Sequence, residues 1–108
     1  MTLLHIVARD EWETNADTDY APSSLASEGF IHLSTTEQVV ATANRFYRGQ
    51  EGLVLLEIAS ERLTRPLRFD DVPGHGIFPH LYGPLNRDAV VRVLSFEPEP
   101  DGSFKKVR

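Results

Sequence analysis

Mostly apolar runs separated by polar turns dominate the pattern of this chain, and three of them predict strands. They cover residues 3–7, 52–58 and 88–96. Such runs are typical of strands whose two faces are both covered, whereas a half-exposed strand alternates apolar and polar residues. We therefore expect the first of these strands to be central in its sheet.

Strict alternation appears in the stretch of residues 29–38, where a strand leads into a helix. Phe30, His32 and Ser34 are predicted to share one face, with Ile31 and Leu33 on the other. An apolar stripe at helical spacing then predicts a helix over residues 36–48. The strand face with the histidine and the serine would therefore lie beside a helix N-terminus, a place receptive to anions or sugar hydroxyls.

Hydroxyl side chains fill the link between that strand and that helix. Thr35 stands three residues before Gln38, the spacing of a capping box. Ser34, Thr35 and Thr36 can therefore be explained as helix caps as well as ligand contacts.

The remaining elements are shorter. Asp10 and Glu13 predict the start of a short helix, residues 15–27 a loop, residues 60–63 a helical turn and residues 66–69 a short strand. Two prolines in residues 77–85 indicate an edge strand or an ordered loop, and residues 104–107 a last edge strand. This order predicts an α+β fold in which two main helices cover mixed, mostly antiparallel sheets.

Length and composition limit the class of protein. The 108 residues predict a single domain over residues 1–108, and no apolar run approaches the roughly 20 residues of a membrane span. The chain has no cysteine, which excludes a disulfide or thiolate site and fits the cytoplasm. A net charge of −5 argues against broad nucleic-acid binding, although its arginines could form one patch for a small anion.

Three histidines stand in otherwise apolar segments, which makes them the candidates for chemistry. His5, His32 and His80 each need a hydrogen-bond partner if buried, and a histidine in such a place is most often a satisfied core residue. Three of them in one small domain also favour a shared site, with His5 and His32 opening into one cleft. Tyr82 is either part of that site or a packed aromatic residue with its hydroxyl at the surface.

Other kinds of site have weaker support. The histidines lack the close spacing that anchors a zinc site, so no metal is expected. Ser34 lacks the glycine-flanked elbow of a serine hydrolase. Gly74 and Gly76 match neither the dinucleotide nor the P-loop phosphate motif.

Three segments together resemble a small bacterial family known as domain of unknown function 952, over essentially the whole chain. They are Leu4-His5-Ile6, Gly29-Phe30-Ile31-His32-Leu33-Ser34 with Gln38, and Phe78-Pro79-His80-Leu81-Tyr82-Gly83. The resemblance implies the fold of ADP-ribosyltransferases, which bind NAD in a cleft between two small sheets. The pair of strands around residues 32–34 and 53–58 is also similar to a segment of NAD-dependent RNA 2′-phosphotransferases.

The resemblance assigns roles residue by residue. His5 matches the superfamily residue that holds the adenosine ribose, and His32-Leu33-Ser34-Thr35 looks like the strand that shapes the nicotinamide pocket. The Gln/Glu-x-Glu pair of the transferases is missing, so Asp88 is the nearest candidate for the catalytic acid. The basic cluster with which phosphotransferases hold a 2′-phosphate is missing as well.

Three hypotheses follow. The first is an ADP-ribosyltransferase-like domain that binds NAD or a related nucleotide; as an enzyme it would be an NAD-dependent transferase attacking the nicotinamide-ribose carbon. The second is a non-catalytic structural or protein-interaction domain of that fold, and the third is a metal-assisted hydrolase. The expected ligand-binding residues are His5, His32, Ser34, Thr35, His80 and Tyr82.

Overall fold

The computed structural model describes residues 1–105 and has two three-stranded sheets in which every strand pairing is antiparallel. In the first sheet β3 (Leu53–Ala59) lies between β1 (Thr2–Ala8) and β6 (Val90–Ser95). In the second sheet β5 (Gly76–Leu81) lies between β2 (Ile31–His32) and β4 (Leu67–Val72). The α+β class and the antiparallel sheets agree with the sequence prediction.

Both faces of β1 and β3 are buried, which explains the apolar runs of these two strands. On one face of β1, Leu3 and Val7 share a core with Ile31 and Leu81 of the second sheet. On the other face, residues such as Leu4 pack with the helix that follows β2. β1 and β3 therefore have few positions left for polar side chains, whereas β6 is largely exposed.

The prediction that β1 is central was wrong, because β3 holds that place. On the edge of β1 that faces away from β3, the pairing among residues 1–105 is a single bridge between Leu4 and Ser34. The backbone N–H of each of these two residues donates to the carbonyl oxygen of the other at 2.8 Å. That bridge connects the two sheets. Burial alone cannot distinguish a central strand from an edge strand that other elements cover.

The prediction of an edge strand or loop for residues 77–85 was also wrong, because β5 is the central strand of the second sheet. Pro79 is tolerated there because of the side to which its nitrogen points. The carbonyl of Pro79 accepts from the Leu33 N–H at 3.0 Å, on the β2 side of the strand. The missing N–H of the proline faces the same side, beyond the two-residue β2, so the ladder to β4 stays intact.

Three short α-helices replace the two main helices that were predicted: α1 (Arg9–Glu13), α2 (Ser23–Glu28) and α3 (Val39–Phe46). The predicted loop over residues 15–27 thus contains most of α2, which ends at Gly29 in the left-handed conformation with φ 89°. Gly29 is therefore a helix cap and not the start of a strand.

α3 starts at Val39, three residues later than predicted. The Gln38 half of the capping box is formed, since its Oε1 accepts from the Thr35 backbone N–H at 3.0 Å. A turn that begins at Thr35 therefore separates Ser34 from the first residue of α3.

Two 3₁₀ turns, Ser60–Arg62 and Arg87–Ala89, complete the elements, and the first confirms the predicted helical turn. The predicted last strand is not formed at Phe104, which is buried and stacks on Phe96 with ring centroids 4.7 Å apart. The end of that predicted strand, Val107, lies outside the described residues. Within residues 1–105, no helix combines the length and the apolar character that crossing a membrane requires.

Candidate functional site

A cleft of about 550 Å³ opens between β1, α3, the β4–β5 hairpin and the segment around Tyr20. Its size falls in the range of small-molecule sites. Four of the residues singled out from the sequence line it: His5, His32, Ser34 and His80. The other three, Thr35, Tyr82 and Asp88, are not among its lining residues.

His5 is buried at the side of this cleft as a neutral imidazole. Its Nδ1 lies 2.7 Å from the His32 carbonyl oxygen, and because a carbonyl only accepts, Nδ1 carries the proton. The lone pair of Nε2 then accepts from the Tyr20 hydroxyl at 3.1 Å. Burial lowers the pKa of His5 from 6.5 to about 4. The imidazole is thus a fixed hydrogen-bonding link between β1, β2 and the Tyr20 segment.

Tyr20 and Glu11 extend this link, and the sequence analysis missed both. Burial, followed by the charge of Glu11, raises the pKa of the Tyr20 phenol well above its usual range. The Tyr20 hydroxyl also lies 3.5 Å from the Glu11 carboxylate, and both residues line the cleft. The only sequence signal for Tyr20 was an aromatic residue in a segment leading to the histidine strand; Glu11 had none beyond its place in a short helix.

His32 is the most accessible of the three histidines. Its Nε2 pairs with the Glu28 carboxylate at 2.8 Å, and its side chain is 53% exposed. Its ring packs edge-on against those of Phe30 and His80, with centroids 5.0 and 5.2 Å away. The prediction that Phe30 and His32 share a face agrees with this packing.

His80 belongs to a second hydrogen-bonded group, centred on Asp70 of the neighbouring strand. Its Nδ1 lies 2.8 Å from Asp70 Oδ2, and the Tyr82 hydroxyl donates to the same oxygen. These bonds, from Tyr82 first and His80 second, lower the pKa of Asp70, while the bond to Asp70 raises the pKa of Tyr82. Tyr82 is thus linked to His80 through the Asp70 carboxylate. In the sequence, Asp70 had been noted only as the residue that follows a short strand.

Ser34 and Asp88 serve the framework in different ways. Ser34 is buried in the backbone bridge to Leu4 and adjoins the cleft. Asp88 lies in the 3₁₀ turn before β6, where its Oδ1 accepts from Asn86 Nδ2 at 2.6 Å. The structure therefore gives Asp88 a partner away from the cleft.

The charge of the cleft is low. Among its lining residues Glu11 is the only carboxylate, and none is a lysine or an arginine. The arginines that could have formed a basic patch thus do not line it. Recognition in such a site depends on ring packing and hydrogen bonds more than on charge.

A metal site would need several ligands pointing at one position. Residues 1–105 contain no group of three or more His, Cys, Asp or Glu side chains that could hold a metal ion. We expect purified protein to carry no stoichiometric zinc and its melting temperature to be unchanged by a chelator. Elemental analysis that finds one zinc per chain would contradict this prediction and favour the metal-assisted hydrolase.

Solved structures of CC0527 of Caulobacter crescentus have the same fold as this chain. Its crystal structure is 36% identical over 97% of this chain and 94% of that chain, with a TM-score of 0.84. Its solution NMR structure is 36% identical over 94% of this chain and 90% of that chain, with a TM-score of 0.81. No curated protein matches. Residues 6–93 match the family described as "Protein of unknown function (DUF952)", and the chain belongs to that family.

Proposed function

We propose that this domain has an ADP-ribosyltransferase-like fold and binds NAD or a related nucleotide in the histidine-lined cleft. The observation that carries the proposal is the convergence of three histidines from different strands on one cleft of suitable size. Support for the nucleotide comes from the resemblance of the histidine-bearing segments to NAD-binding strands. Two small sheets beside a cleft are also consistent with that fold.

The lining residues favour the nucleoside part of such a ligand. The exposed His32 ring can offer a hydrogen bond and the rings of His5 and Phe78 can offer stacking, whereas no lysine or arginine lines the cleft to neutralise a phosphate. The phosphates would then stay in solvent at the mouth of the cleft. Affinity for NAD should accordingly change little with ionic strength.

A catalytic version of this proposal needs a carboxylate near the reacting sugar carbon. Glu11, which lines the cleft, is better placed for that role than Asp88. A fixed negative charge stabilises the cationic sugar that forms as nicotinamide leaves. Without such a step, the same site would bind a nucleotide without changing it.

Replacing His32 by alanine is the sharpest test of binding. The variant should bind NAD a few-fold to tenfold more weakly, since one hydrogen bond is worth about 0.5–1.5 kcal/mol. It should melt close to wild type, because exposed substitutions usually change stability by about 0.5 kcal/mol or less. His32→Asn, whose amide can stand in for Nδ1, the ring nitrogen that is not paired with Glu28, should recover part of the affinity.

Calorimetric titration with NAD and ADP-ribose, alongside thermal melts, measures both quantities on the same samples. His80→Ala should lose affinity together with stability, because its side chain is buried. A wild-type protein that gives neither heat nor a melting shift with either ligand would refute the proposed function.

A further inference from the structure

The arrangement around His80 determines which of its ring nitrogens holds a proton. A carboxylate only accepts hydrogen bonds, so the 2.8 Å contact between Asp70 Oδ2 and His80 Nδ1 requires the proton to be on Nδ1. The Tyr82 hydroxyl, bonded to the same carboxylate oxygen, helps to hold the carboxylate in place. In the neutral ring the lone pair is therefore on Nε2.

That Nε2 atom is buried and has no hydrogen-bond partner among residues 1–105. His80 is only 3% exposed, and the ring of Phe30 stacks on it with centroids 4.0 Å apart and planes at 15°. A buried acceptor without a donor costs free energy, and such an atom in a native protein calls for an explanation. Since His80 lines the cleft, a bound molecule can supply the missing donor.

We propose that His80 is the proton-accepting residue of the cleft and that Asp70 is its positioning residue. Nε2 accepts from an N–H or O–H group of the ligand, such as that of a carboxamide or a sugar hydroxyl. Because Nε2 is buried, a neighbouring side chain must move for the ligand to reach it, and Phe30 and His32, which pack on the His80 ring, are both partly exposed. The inference rests on the proposed ligand cleft for its occupant, but the state of the His80 ring can be measured without a ligand.

Nitrogen-15 NMR of the full chain tests the ring first. In the neutral ring the His80 signals should show a protonated Nδ1 and an unprotonated Nε2. Asp70→Asn should shift the ring toward the opposite tautomer, because its amide NH₂ can donate to Nδ1. Asp71→Asn is the matched control, because it makes the same chemical change at the next residue. Asp71 is exposed and is not part of the hydrogen-bonded group around Asp70, so this variant should leave the signals unchanged. A wild-type ring protonated on Nε2, or an Asp70→Asn spectrum identical to wild type, would overturn the positioning role.

The second measurement adds nicotinamide, a neutral carboxamide, and then NAD to the same samples. Binding should move the His80 Nε2 signal in the direction of an accepted hydrogen bond, and Asp70→Asn should weaken binding a few-fold to tenfold. The Asp71→Asn variant should bind as wild type does. Binding that leaves Nε2 unmoved would overturn the acceptor role while the proposed function stands. Absence of binding by both probes would overturn the two together.

Discussion

Acidification from pH 7 toward pH 4 should lower the free energy of unfolding by up to about 3 kcal/mol through His5 alone. Burial lowers the pKa of this histidine in the folded protein from 6.5 to about 4. Between those values the unfolded chain takes up a proton that the folded chain does not. The stabilisation is therefore complete above pH 6.5 and is lost progressively as the pH falls toward 4.

The contribution of His5 can be separated from that of the carboxylates by a variant that does not titrate. In His5→Asn the amide nitrogen can stand in for Nδ1 and still donate to the His32 carbonyl. This variant should be less stable at pH 7, but it should lose about 3 kcal/mol less than wild type between pH 7 and pH 4. Urea unfolding at several pH values gives the comparison.

His75→Asn is the control, since it makes the same chemical change at a histidine that is exposed in the turn of the β4–β5 hairpin. It should follow the wild-type pH dependence. Equal losses of stability in wild type and His5→Asn would show that His5 does not remain neutral in the folded state. Asp70, whose pKa is lowered, also loses its contribution in acid, but around and below its usual value of 3.8.

Removing the Asn86 side chain should lower the free energy of unfolding by about 2–4 kcal/mol. Its Oδ1 accepts from the backbone N–H and the hydroxyl of Thr64, both at 3.2 Å. Its Nδ2 donates to the Arg62 carbonyl at 2.9 Å and to Asp88 Oδ1. Because Asn86 is buried, Asn86→Ala leaves several of these partners without a replacement.

Asn44→Ala provides a control with the same chemical change and fewer bonds. Among residues 1–105, Asn44 makes two hydrogen bonds, both with the Phe104 backbone, and it is only partly buried. It should cost about 1–2 kcal/mol in the same urea experiment. An Asn86→Ala variant no less stable than Asn44→Ala would contradict the assigned role.

Asp88→Asn distinguishes the structural from the catalytic interpretation of Asp88. It changes one partner of Asn86 and leaves the cleft lining intact. We therefore expect a modest loss of stability and unchanged NAD binding.

The helical turn at Ser60–Arg62 and the long strands were predictable, because their signals are local. A strand with both faces buried is mostly apolar, so β1 and β3 were visible as nearly continuous apolar runs. β6 was visible from its β-branched residues, although the structure leaves it largely exposed. The bond between Gln38 and the Thr35 backbone was equally readable, since capping depends on a fixed spacing.

The tertiary structure decided which strands lie at the sheet edges and which strands pair with one another. β1 and β3 have similar apolar character, and only their pairing makes β3 central. A proline normally excludes a central strand, because it has no N–H to donate to a neighbouring strand. The nitrogen of Pro79, however, points to the side of β2, and that two-residue strand ends before it reaches Pro79. α2 is short and weakly patterned, so its local signal could not be distinguished from a loop.

The sequence by itself indicated that His5 and His80 would stand in apolar surroundings and need partners, whereas the same expectation for His32 was wrong, because its side chain is exposed. The tertiary structure alone decided what those partners are: Tyr20 for His5, fifteen residues away, and Asp70 for His80, ten residues away. The physical reason is that the apolar pattern of a sequence reflects which residues are buried in the protein interior. The identity of the hydrogen-bond partner depends instead on strand register and on which segments the fold brings together.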